Sequence, residues 1–274
     1  MAQCLVPRTV RDEVFPCGKC PTCTARNVSQ WSFRLMQQLK QSSSAYFITL
    51  TYDTAFIPIT ASGQFSLSRV KNGADDLRLF FKRLRKYHGK GNQSIKYFAV
   101  GEYGSRTKRP HYHIILLNAK LELIQKAWTL GQIHYGDERG VNEASIGYCL
   151  KYIHKTCKIG TQTTDDRVPS FSRKSKGLGI DYLTPAIRAW HHADSHNRMY
   201  VNLQDGKKIS MPRYYKLKLY EEALRKEIGE ATLQRIREEL AKQPTPTHRQ
   251  WLDKQAAIKQ SFIHLQTQNQ KSKL

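Results

Sequence analysis

The chain has 274 residues, of which 45 are Lys or Arg and 22 are Asp or Glu, so its formal charge is +23 at pH 7. It contains no run of about eighteen apolar residues, which excludes an ordinary membrane-spanning helix. Its first residues lack the pattern of a signal peptide, so we expect a cytoplasmic protein with reduced thiols. The excess of positive charge favours a partner that carries phosphates, above all nucleic acid.

Cysteines near the start of the chain have the spacing of metal ligands. Cys17, Cys20 and Cys23 are each separated by two residues, and Cys4 can supply a fourth sulfur. In a reducing compartment this spacing favours a metal over disulfides, and we predict a structural zinc site. Iron–sulfur proteins use similar spacing, and unligated thiols are the simplest alternative.

Hydrophobic periodicity predicts alternating helices and strands along the rest of the chain. In chain order these are a helix over 25–40, a strand over 46–52, a basic helix over 75–88, strands over 95–100 and 111–117, a helix over 121–128, a short strand over 131–135, a helix after 141, and two charged helices beyond 216. The order predicts an α+β fold in which a central antiparallel sheet has its flanking helices on one face, with a Cys-rich segment before it and helices after it.

A pair of histidines lies on one face of the strand over 111–117. Because side chains alternate along a strand, His111 and His113 point to the same side and Tyr112 to the other. Glu102 ends the preceding strand, and the polar turn after it leads back to His111 as in a hairpin. The three side chains can therefore share one divalent cation, although a histidine pair alone is also common as a surface feature.

The helix after residue 141 carries two tyrosines and two lysines at helical spacing. Tyr148 and Tyr152 are four residues apart, as are Lys151 and Lys155, so each pair stacks along the helix. A tyrosine phenol has a pKa near 10 and attacks phosphate only with help from a metal and nearby cations. Tyrosines that pack on the sheet are the alternative, and the neighbouring histidine strand favours the catalytic interpretation.

Basic residues form clusters that we predict to contact nucleic acid, with interleaved aromatic residues available for stacking on bases. The predicted contacts are Lys82, Arg83, Arg85, Lys86, Arg106, Lys108, Arg109, Arg173, Lys174, Lys176 and Arg213.

Together these motifs resemble those of the replication initiators of microviruses, which are small single-stranded DNA phages, and most closely the gokushovirus branch. These proteins are HUH endonucleases, named for His-hydrophobic-His, which is His111-Tyr112-His113 here. The two-tyrosine motif of that superfamily is similar to the run from Tyr148 to Lys155, and residues 46–53 are similar to its first strand motif. The cysteine run and residues 175–179 and 212–215 are similar to the gokushovirus pattern, and there is no P-loop motif.

The resemblance implies a rolling-circle initiator with an HUH fold that nicks and joins single-stranded DNA at a phage origin through a covalent 5′-phosphotyrosine. It implies Mg²⁺ or Mn²⁺ on His111, His113 and Glu102, and Tyr148 and Tyr152 as nucleophiles beside Lys151 and Lys155. Single-stranded or melted origin DNA, a host helicase and a host polymerase are the implied partners, no membrane is involved, and the cytoplasm of an infected bacterium is the implied location.

These interpretations divide the chain into four segments. They are a Cys-rich segment with a helix (1–44), the nuclease core (45–157), a basic, irregular, DNA-contacting extension (158–215) and a helical region (216–274). Two other functions remain open at this point. One is a related HUH enzyme such as a transposase or plasmid relaxase, and the other is a non-catalytic, zinc-containing nucleic-acid-binding regulator, which would not explain the histidine strand and the tyrosine helix.

Overall fold

The structure is a computed structural model that describes residues 4–11, 13–68, 75–136, 140–151, 165–242 and 244–271. Its elements in chain order are β1 (Arg8–Val10), β2 (Glu13–Phe15), α1 (Pro21–Lys40), β3 (Ala45–Thr51), α2 (Asp76–His88), β4 (Lys96–Tyr103), β5 (Pro110–Leu117), α3 (Leu121–Ala127), β6 (Ile133–Tyr135), α4 (Glu143–Lys151), β7 (Phe171–Lys174), α5 (Pro185–Ala193), β8 (Tyr200–Asn202), β9 (Lys208–Ser210), α6 (Arg213–Leu219), α7 (Glu222–Ala241) and α8 (His248–Lys271).

The chain divides by packing into two compact units. We call Arg34–Gly179 the sheet unit, and Met1–Phe33 together with Ile180–Leu274 the terminal unit. The four segments defined from the sequence are divisions by function, and they stay predictions. Within the described ranges, no helix has the length and apolar character that crossing a bilayer requires.

Five antiparallel strands form the centre of the sheet unit, in the order β6-β3-β5-β4-β7. Strands β3 and β5 pair along their length, with Thr51 opposite His111 at one end. On the other side of β5, Glu102 of β4 also lies opposite His111. The predicted fold class, a central antiparallel sheet with flanking helices, is confirmed.

One face of the sheet packs on α2 and α3. The even-numbered side chains of β5, among them Tyr112 and Ile114, are fully buried in a core that they share with these two helices. Helix α2 contributes an apolar stripe to this core, because Leu77, Phe80 and Leu84 recur at helical spacing and are buried. The basic side of α2 is thereby left to the surface.

Helix α4 covers the opposite face, so the prediction of helices on a single face is wrong. The ring of Tyr148 in α4 contacts the ring of His113, whose side chain lies opposite to that of Tyr112. The physical reason is that β5 is apolar on both faces beyond His113. Ile115 and Leu117 are each 1% exposed, which requires cover on the histidine face as well.

A chain of hydroxyl groups is buried between the sheet and the start of α2. The Tyr112 hydroxyl lies 2.9 Å from that of Tyr52, which in turn donates to Asp76 at 2.8 Å. Burial raises the pKa of both phenols well above the usual value, so both stay protonated and act as donors. The network places a polar requirement on the face of β5 opposite the histidines.

The second part of α1 is tied to the segment that follows β7. The buried guanidinium of Arg34 donates to the carbonyl of Leu178, and the side-chain oxygen of Gln38 accepts from the amide of Gly179. Gly177 and Gly179 have φ values of 72° and 70°, which favour glycine. Residues 175–179, similar to a gokushovirus pattern, therefore have a structural role here.

The segment predicted to be irregular, 158–215, contains regular elements. Residues 158–164 lie outside the described part, but β7, α5, β8 and β9 fall within 165–215, and α6 begins there. Periodicity did not reveal the strands because they are only three or four residues long. Strand β7 pairs with β4 and extends the sheet, so it belongs to the sheet unit.

The terminal unit contains two hairpins, β1–β2 and β8–β9, and a small core of its own. Phe33 of α1, Val201 of β8 and Tyr215 of α6 are buried in this core, with Met211 and Leu219 beside them. Tyr215 is fully buried, which explains why an aromatic residue stands in the segment 212–215.

We predict that Gly131→Ala lowers the free energy of unfolding by about 1–3 kcal/mol. A Cβ atom at Gly131 would overlap the carbonyl oxygen of Thr51 and lie 2.6 Å from the amide nitrogen of Asp53. These backbone atoms end a central strand and cannot move aside like a flexible side chain. Urea unfolding measures the effect.

The matched control is Gly147→Ala in α4, where a Cβ would meet no atom within 4 Å. This change should leave stability unaltered or raise it by up to about 1 kcal/mol, because alanine favours helix more than glycine does. Equal stability of the Gly131 variant and the wild type would contradict the close approach of β3 to Gly131.

Candidate nuclease and metal site

Two histidines and a glutamate meet at one end of the sheet. Nε2 of His111 lies 2.9 Å, and Nε2 of His113 lies 3.2 Å, from the same oxygen, Oε1 of Glu102. The ligand atoms of the three side chains all lie within 4.8 Å of one another. The structure thus brings together the three residues that strand alternation and the hairpin turn suggested.

The β4–β5 hairpin positions this cluster. Its register places Glu102 directly opposite His111, and the amide of Gly104 donates to the carbonyl of Arg109 at 2.9 Å to close the turn. Lys108 has a positive φ of 55°, a conformation that allows the tight return of the chain. The carboxylate and the first imidazole are therefore cross-strand neighbours, fixed by backbone pairing rather than by a loop.

The electrostatics of the cluster favour an ionised glutamate. Glu102 is 8% exposed, and burial by itself would raise its pKa. The hydrogen bonds from His111 and His113 outweigh this effect, so the pKa of Glu102 lies below its usual value. Each imidazole donates its Nε2 proton to the same carboxylate oxygen.

The donor set fits a divalent metal ion. Two imidazole nitrogens and one carboxylate oxygen are ligands that Mn²⁺ and similar ions accept, whereas Mg²⁺ prefers oxygen ligands. Bonds of about 2.1 Å to a common ion separate two ligand atoms by at most about 4.2 Å, close to the spread found here. The cluster could hold such an ion, and its chemistry favours Mn²⁺ over Mg²⁺.

Two residues of β3 complete the surroundings of His113, and sequence reasoning gave neither a role. The hydroxyl of Thr49 lies 2.9 Å from Nδ1 of His113, and the ring of Phe47 stacks on the imidazole at 5.9 Å. Alternation along β3 places both on one face. The register that brings Thr49 opposite His113, 64 residues later, could not be read from the sequence.

Helix α4 carries Tyr148 to this cluster. The ring centroid of Tyr148 lies 5.4 Å from that of His113 and 5.8 Å from that of Phe47, in edge-to-face arrangements. Tyr148 is nevertheless 42% exposed. Asn142 and Ser145 begin the helix with reciprocal side chain to backbone hydrogen bonds, so Asn142 is the N-cap, as the sequence suggested.

Of the other residues in the predicted tyrosine motif, only Lys151 is described. It is the last residue of α4 and is partly buried. Tyr152 and Lys155 lie outside the described residues, and their predicted roles stay predictions.

One predicted basic cluster borders the site. Arg106, Lys108 and Arg109 lie in the hairpin turn between Glu102 and His111. Arg106 is exposed, whereas Arg109 donates to the carbonyl of Tyr52 at 2.9 Å. The turn therefore places positive charge beside the carboxylate and the histidines.

The basic cluster of α2 lies on the other side of the sheet, because α2 packs on the face opposite the histidines. Lys82, Arg85 and Lys86 are at the surface there. Arg83 donates to the carbonyl of Ala127 at 2.8 Å, which joins α2 to α3. The structure does not bring this cluster to the histidine face.

The remaining predicted contacts are divided between faces and units. Arg173 of β7 forms an ion pair with Asp75 at the start of α2. Lys174 lies on the other face of β7, over the ring of Phe98, and Lys176 is at the surface. Arg213 begins α6 in the terminal unit.

The four cysteines near the start of the chain form a second group that could hold a metal ion. The sulfurs of Cys4, Cys17, Cys20 and Cys23 all lie within 4.8 Å of one another. The backbone amides of Lys19 and Cys20 point at the sulfur of Cys17, at 3.4 and 3.2 Å. Such N–H···S contacts stabilise thiolates.

The electrostatics of this group agree with thiolate ligands. Burial would raise the pKa of Cys20, but hydrogen bonds, first from Thr22, lower it to about 5. The pKa of Cys23 is raised to about 12 by burial and by the neighbouring sulfurs. Crowded thiolates repel one another, and a cation among them would remove that repulsion.

Comparison with known proteins identifies the family. Residues 45–157 match the family model of the phage replication-associated protein ORF2. The replication-associated protein ORF2 of Spiroplasma virus 4 is 29% identical over 224 residues, which are 75% of this chain and 67% of that protein. The chain belongs to the family of phage replication-associated proteins. This confirms the resemblance to microvirus replication initiators that the motifs indicated.

Two further members support the assignment. The replication-associated protein VP4 of Bdellovibrio phage phiMH2K is 26% identical over 73% of this chain and 66% of its own length, and the replication-associated protein ORF4 of Chlamydia phage 1 is 25% identical over 73% and 52%. This chain thus spans between about half and two thirds of the length of its phage relatives. No solved structure matches.

The part that matches the family model begins at the first residue of β3 and includes β4, β5 and α4. It therefore contains Thr49, Glu102, both histidines and Tyr148. The four cysteines lie outside this match.

We predict that Thr49→Val weakens binding of Mn²⁺ by about 10- to 100-fold, whereas Thr49→Ser retains most of the affinity. With Nε2 of His113 free to bind a metal, Nδ1 carries the proton and donates it to the Thr49 hydroxyl. Valine has the shape of threonine without that acceptor. Calorimetric titration of each purified variant measures the affinity, and equal affinity of the valine variant would contradict a positioning role.

Proposed function

We propose that this phage replication-associated protein is a rolling-circle initiator that nicks and rejoins single-stranded DNA at a phage origin. The observation that carries the proposal is the position of Tyr148. Its ring lies 5.4 Å from that of His113, next to a cluster in which two imidazoles share one carboxylate oxygen. A nucleophile of modest strength beside a group that could bind metal is the arrangement that phosphodiester cleavage requires.

The three ligands have a defined task in this proposal. His111, His113 and Glu102 would hold Mn²⁺ or Mg²⁺, which polarises a phosphate oxygen and offsets the charge that develops on it. Glu102 is held ionised by the two imidazoles, and Thr49 orients His113. Burial of Glu102 and His113 keeps the ligands in place while the DNA is exchanged.

Cleavage follows as a balanced exchange of one phosphate ester for another. The Tyr148 oxygen attacks the scissile phosphorus and loses its proton, and the bond from phosphorus to the 3′ oxygen breaks. That oxygen takes up a proton, and the 5′ phosphate stays on the tyrosine. Attack by a 3′ hydroxyl on the phosphotyrosine reverses the step and joins two ends, so joining needs no ATP.

Tyr152 is proposed as the second nucleophile on the basis of the sequence. In a helix, its Cβ would lie about 5–6 Å from that of Tyr148. A second cut is needed while the first tyrosine still carries the DNA end, which explains why two are present. Lys151 and Lys155 are proposed to favour the phenolates and the developing negative charge.

The proposal extends to the partners. The cationic hairpin turn with Arg106, Lys108 and Arg109 borders the ligands and would contact the phosphates nearest the cut. The basic side of α2 lies on the opposite face, and we assign it to flanking DNA. A host helicase would open the duplex and a host polymerase would extend the 3′ end, in the cytoplasm of the infected bacterium.

A transposase or relaxase would use the same chemistry, but the relatives are all described as replication-associated, which favours initiation of replication. A non-catalytic regulator would leave the contact between Tyr148 and His113 without a purpose. Formation of a covalent adduct separates an enzyme from a regulator.

We also propose that Cys4, Cys17, Cys20 and Cys23 hold a structural Zn²⁺. Four sulfurs form the ligand set that structural zinc sites use, and no open position is left for a substrate. The segment around β1 and β2 has little apolar surface to bury, since every residue of β1 is exposed. A metal would therefore supply folding energy that this segment cannot obtain from a core.

We predict that neither Tyr148→Phe nor Tyr152→Phe abolishes the covalent adduct but that each prevents release of a closed circle, and that the double variant forms no adduct. The measurement combines each variant with labelled single-stranded origin DNA and Mn²⁺, followed by a denaturing gel. Tyr135→Phe is the matched control, because Tyr135 is also 45% exposed on the same sheet but lies on β6.

Two further arms of this experiment test the ligands. His111→Ala, or wild-type protein in excess EDTA, should lose about 100-fold or more of the cleavage rate, because a metal contributes several kcal/mol to such a transition state. DNA affinity should change little, since it comes mainly from Lys and Arg. An adduct formed by the double tyrosine variant would place the nucleophile elsewhere, and normal cleavage in EDTA would refute the role of the metal.

We predict about one zinc per chain in protein purified without chelator, and loss of that zinc in Cys20→Ser. Elemental analysis gives the stoichiometry, and visible absorption after replacement by Co²⁺ reports sulfur ligands. Cys149→Ser is the control, because Cys149 is buried in the sheet unit and lies apart from the four sulfurs. Protein without zinc or iron would show that the cysteines are ordinary thiols.

A further inference from the structure

A surface of the terminal unit combines aromatic rings with cationic side chains. The guanidinium of Arg198 lies over the ring of Trp190 at 4.6 Å, and the ammonium of Lys208 lies over the ring of Tyr200 at 4.4 Å. The two rings meet edge to face at 5.8 Å. We call these four residues the aromatic–cation surface.

The aromatic–cation surface is held in place from below. The buried ring of His191 contacts the carbonyl of Arg198 through Nδ1 at 3.0 Å, and the Arg198 guanidinium donates to the carbonyl of Trp190 at 2.6 Å. Lys208 and Tyr200 stand on paired strands of the β8–β9 hairpin. The groups are therefore arranged before any ligand arrives, which lowers the entropy lost on binding.

Burial does not explain these rings fully. Trp190 remains 36% exposed although Arg198 covers one face, and Lys208 is exposed. Cation–π pairs at exposed positions stabilise a fold by only about 0.5–1 kcal/mol. A tryptophan in the core would contribute more to stability, so exposure of this ring is better explained by a ligand that stacks on it.

The charge around the surface selects the class of ligand. Between Pro185 and Tyr220 the chain has seven Lys or Arg and two Asp, with no Glu. Both carboxylates are engaged locally: Asp194 accepts from Asn197, and Asp205 accepts from the amide of Lys207. A polyanion with exposed planar groups fits this composition, and unpaired nucleic acid has both features.

We propose that the aromatic–cation surface binds single-stranded DNA, with bases stacked against Trp190 and Tyr200 and phosphates beside Arg198 and Lys208. The proposal rests on the proposed single-stranded substrate, but not on the cleavage chemistry. Stacking on any base is tolerated, so the surface would hold DNA outside the nicking sequence. It would add affinity for the strand without adding sequence specificity.

The test measures binding of a fluorescent oligodeoxythymidylate of about 16 nucleotides, which lacks an origin, by anisotropy. Trp190→Ala should weaken binding by roughly fivefold or more, the effect expected for loss of one stacked base. Lys208→Gln should lower the salt dependence, the slope of log K against log salt, by about 0.7, whereas Trp190→Ala should leave that slope unchanged. Trp251→Ala is the matched control, an exposed tryptophan at 49% on α8.

A second measurement does not depend on a truncated side chain. Wild-type protein should show tryptophan fluorescence quenching on titration with the oligonucleotide, and Trp190→Phe should lose that quenching although its fold is retained. Wild-type affinity in the Trp190 and Lys208 variants would overturn the inference and leave the surface to another partner, such as an acidic protein segment. Absence of any single-stranded DNA binding by the wild type would instead contradict the proposed function itself.

Discussion

The register of β4 against β5 is the constraint on which the site depends. A slip of one residue would turn Glu102 to the other face and separate it from both histidines. Apolar burial alone does not prevent this slip, because both strands are apolar on both faces over much of their length. Polar groups at the other end set the register instead. Tyr112 needs the Tyr52 hydroxyl on one face, and the histidines need Glu102 on the other. Each buried polar group left unpaired would cost about 1–3 kcal/mol.

How much of this could be read from the sequence follows from the range of each interaction. Glu102, His111 and His113 belong to one hairpin, so period-two alternation and a short turn were sufficient to group them. The contact of Thr49 with His113 depends on pairing between strands 64 residues apart, which no local pattern encodes. For the same reason, the basic side of α2 could be predicted from its amphipathic pattern, but not its position opposite the histidines. The cover on both faces could have been expected from the run Ile114–Leu117, since four consecutive apolar residues need burial on both sides.

Two groups of ligands in one chain are chemically unlike, which has consequences for their roles. Four sulfurs form a closed, soft set suited to zinc, while two imidazoles and a carboxylate form an open, harder set suited to Mn²⁺. The soft set belongs to the terminal unit and the hard set to the sheet unit. Because their metal preferences differ, the two groups need not compete for the same ion. A structural metal can stay bound while the catalytic one exchanges with the solvent.

The position of Tyr148 shows how a nucleophile can be both held and accessible. Its ring touches His113 and Phe47 by edge-to-face contacts, while Ile146, Cys149 and Leu150 anchor α4 on the sheet. The ligands stand on paired strands, whereas the tyrosine stands on a nine-residue helix. Any exchange between two tyrosines must move the nucleophile relative to the ligands, and a short helix is easier to shift than a strand paired on both sides. The architecture therefore assigns precision to the sheet and adjustment to the helix, as alternate use of two nucleophiles at one phosphate would require.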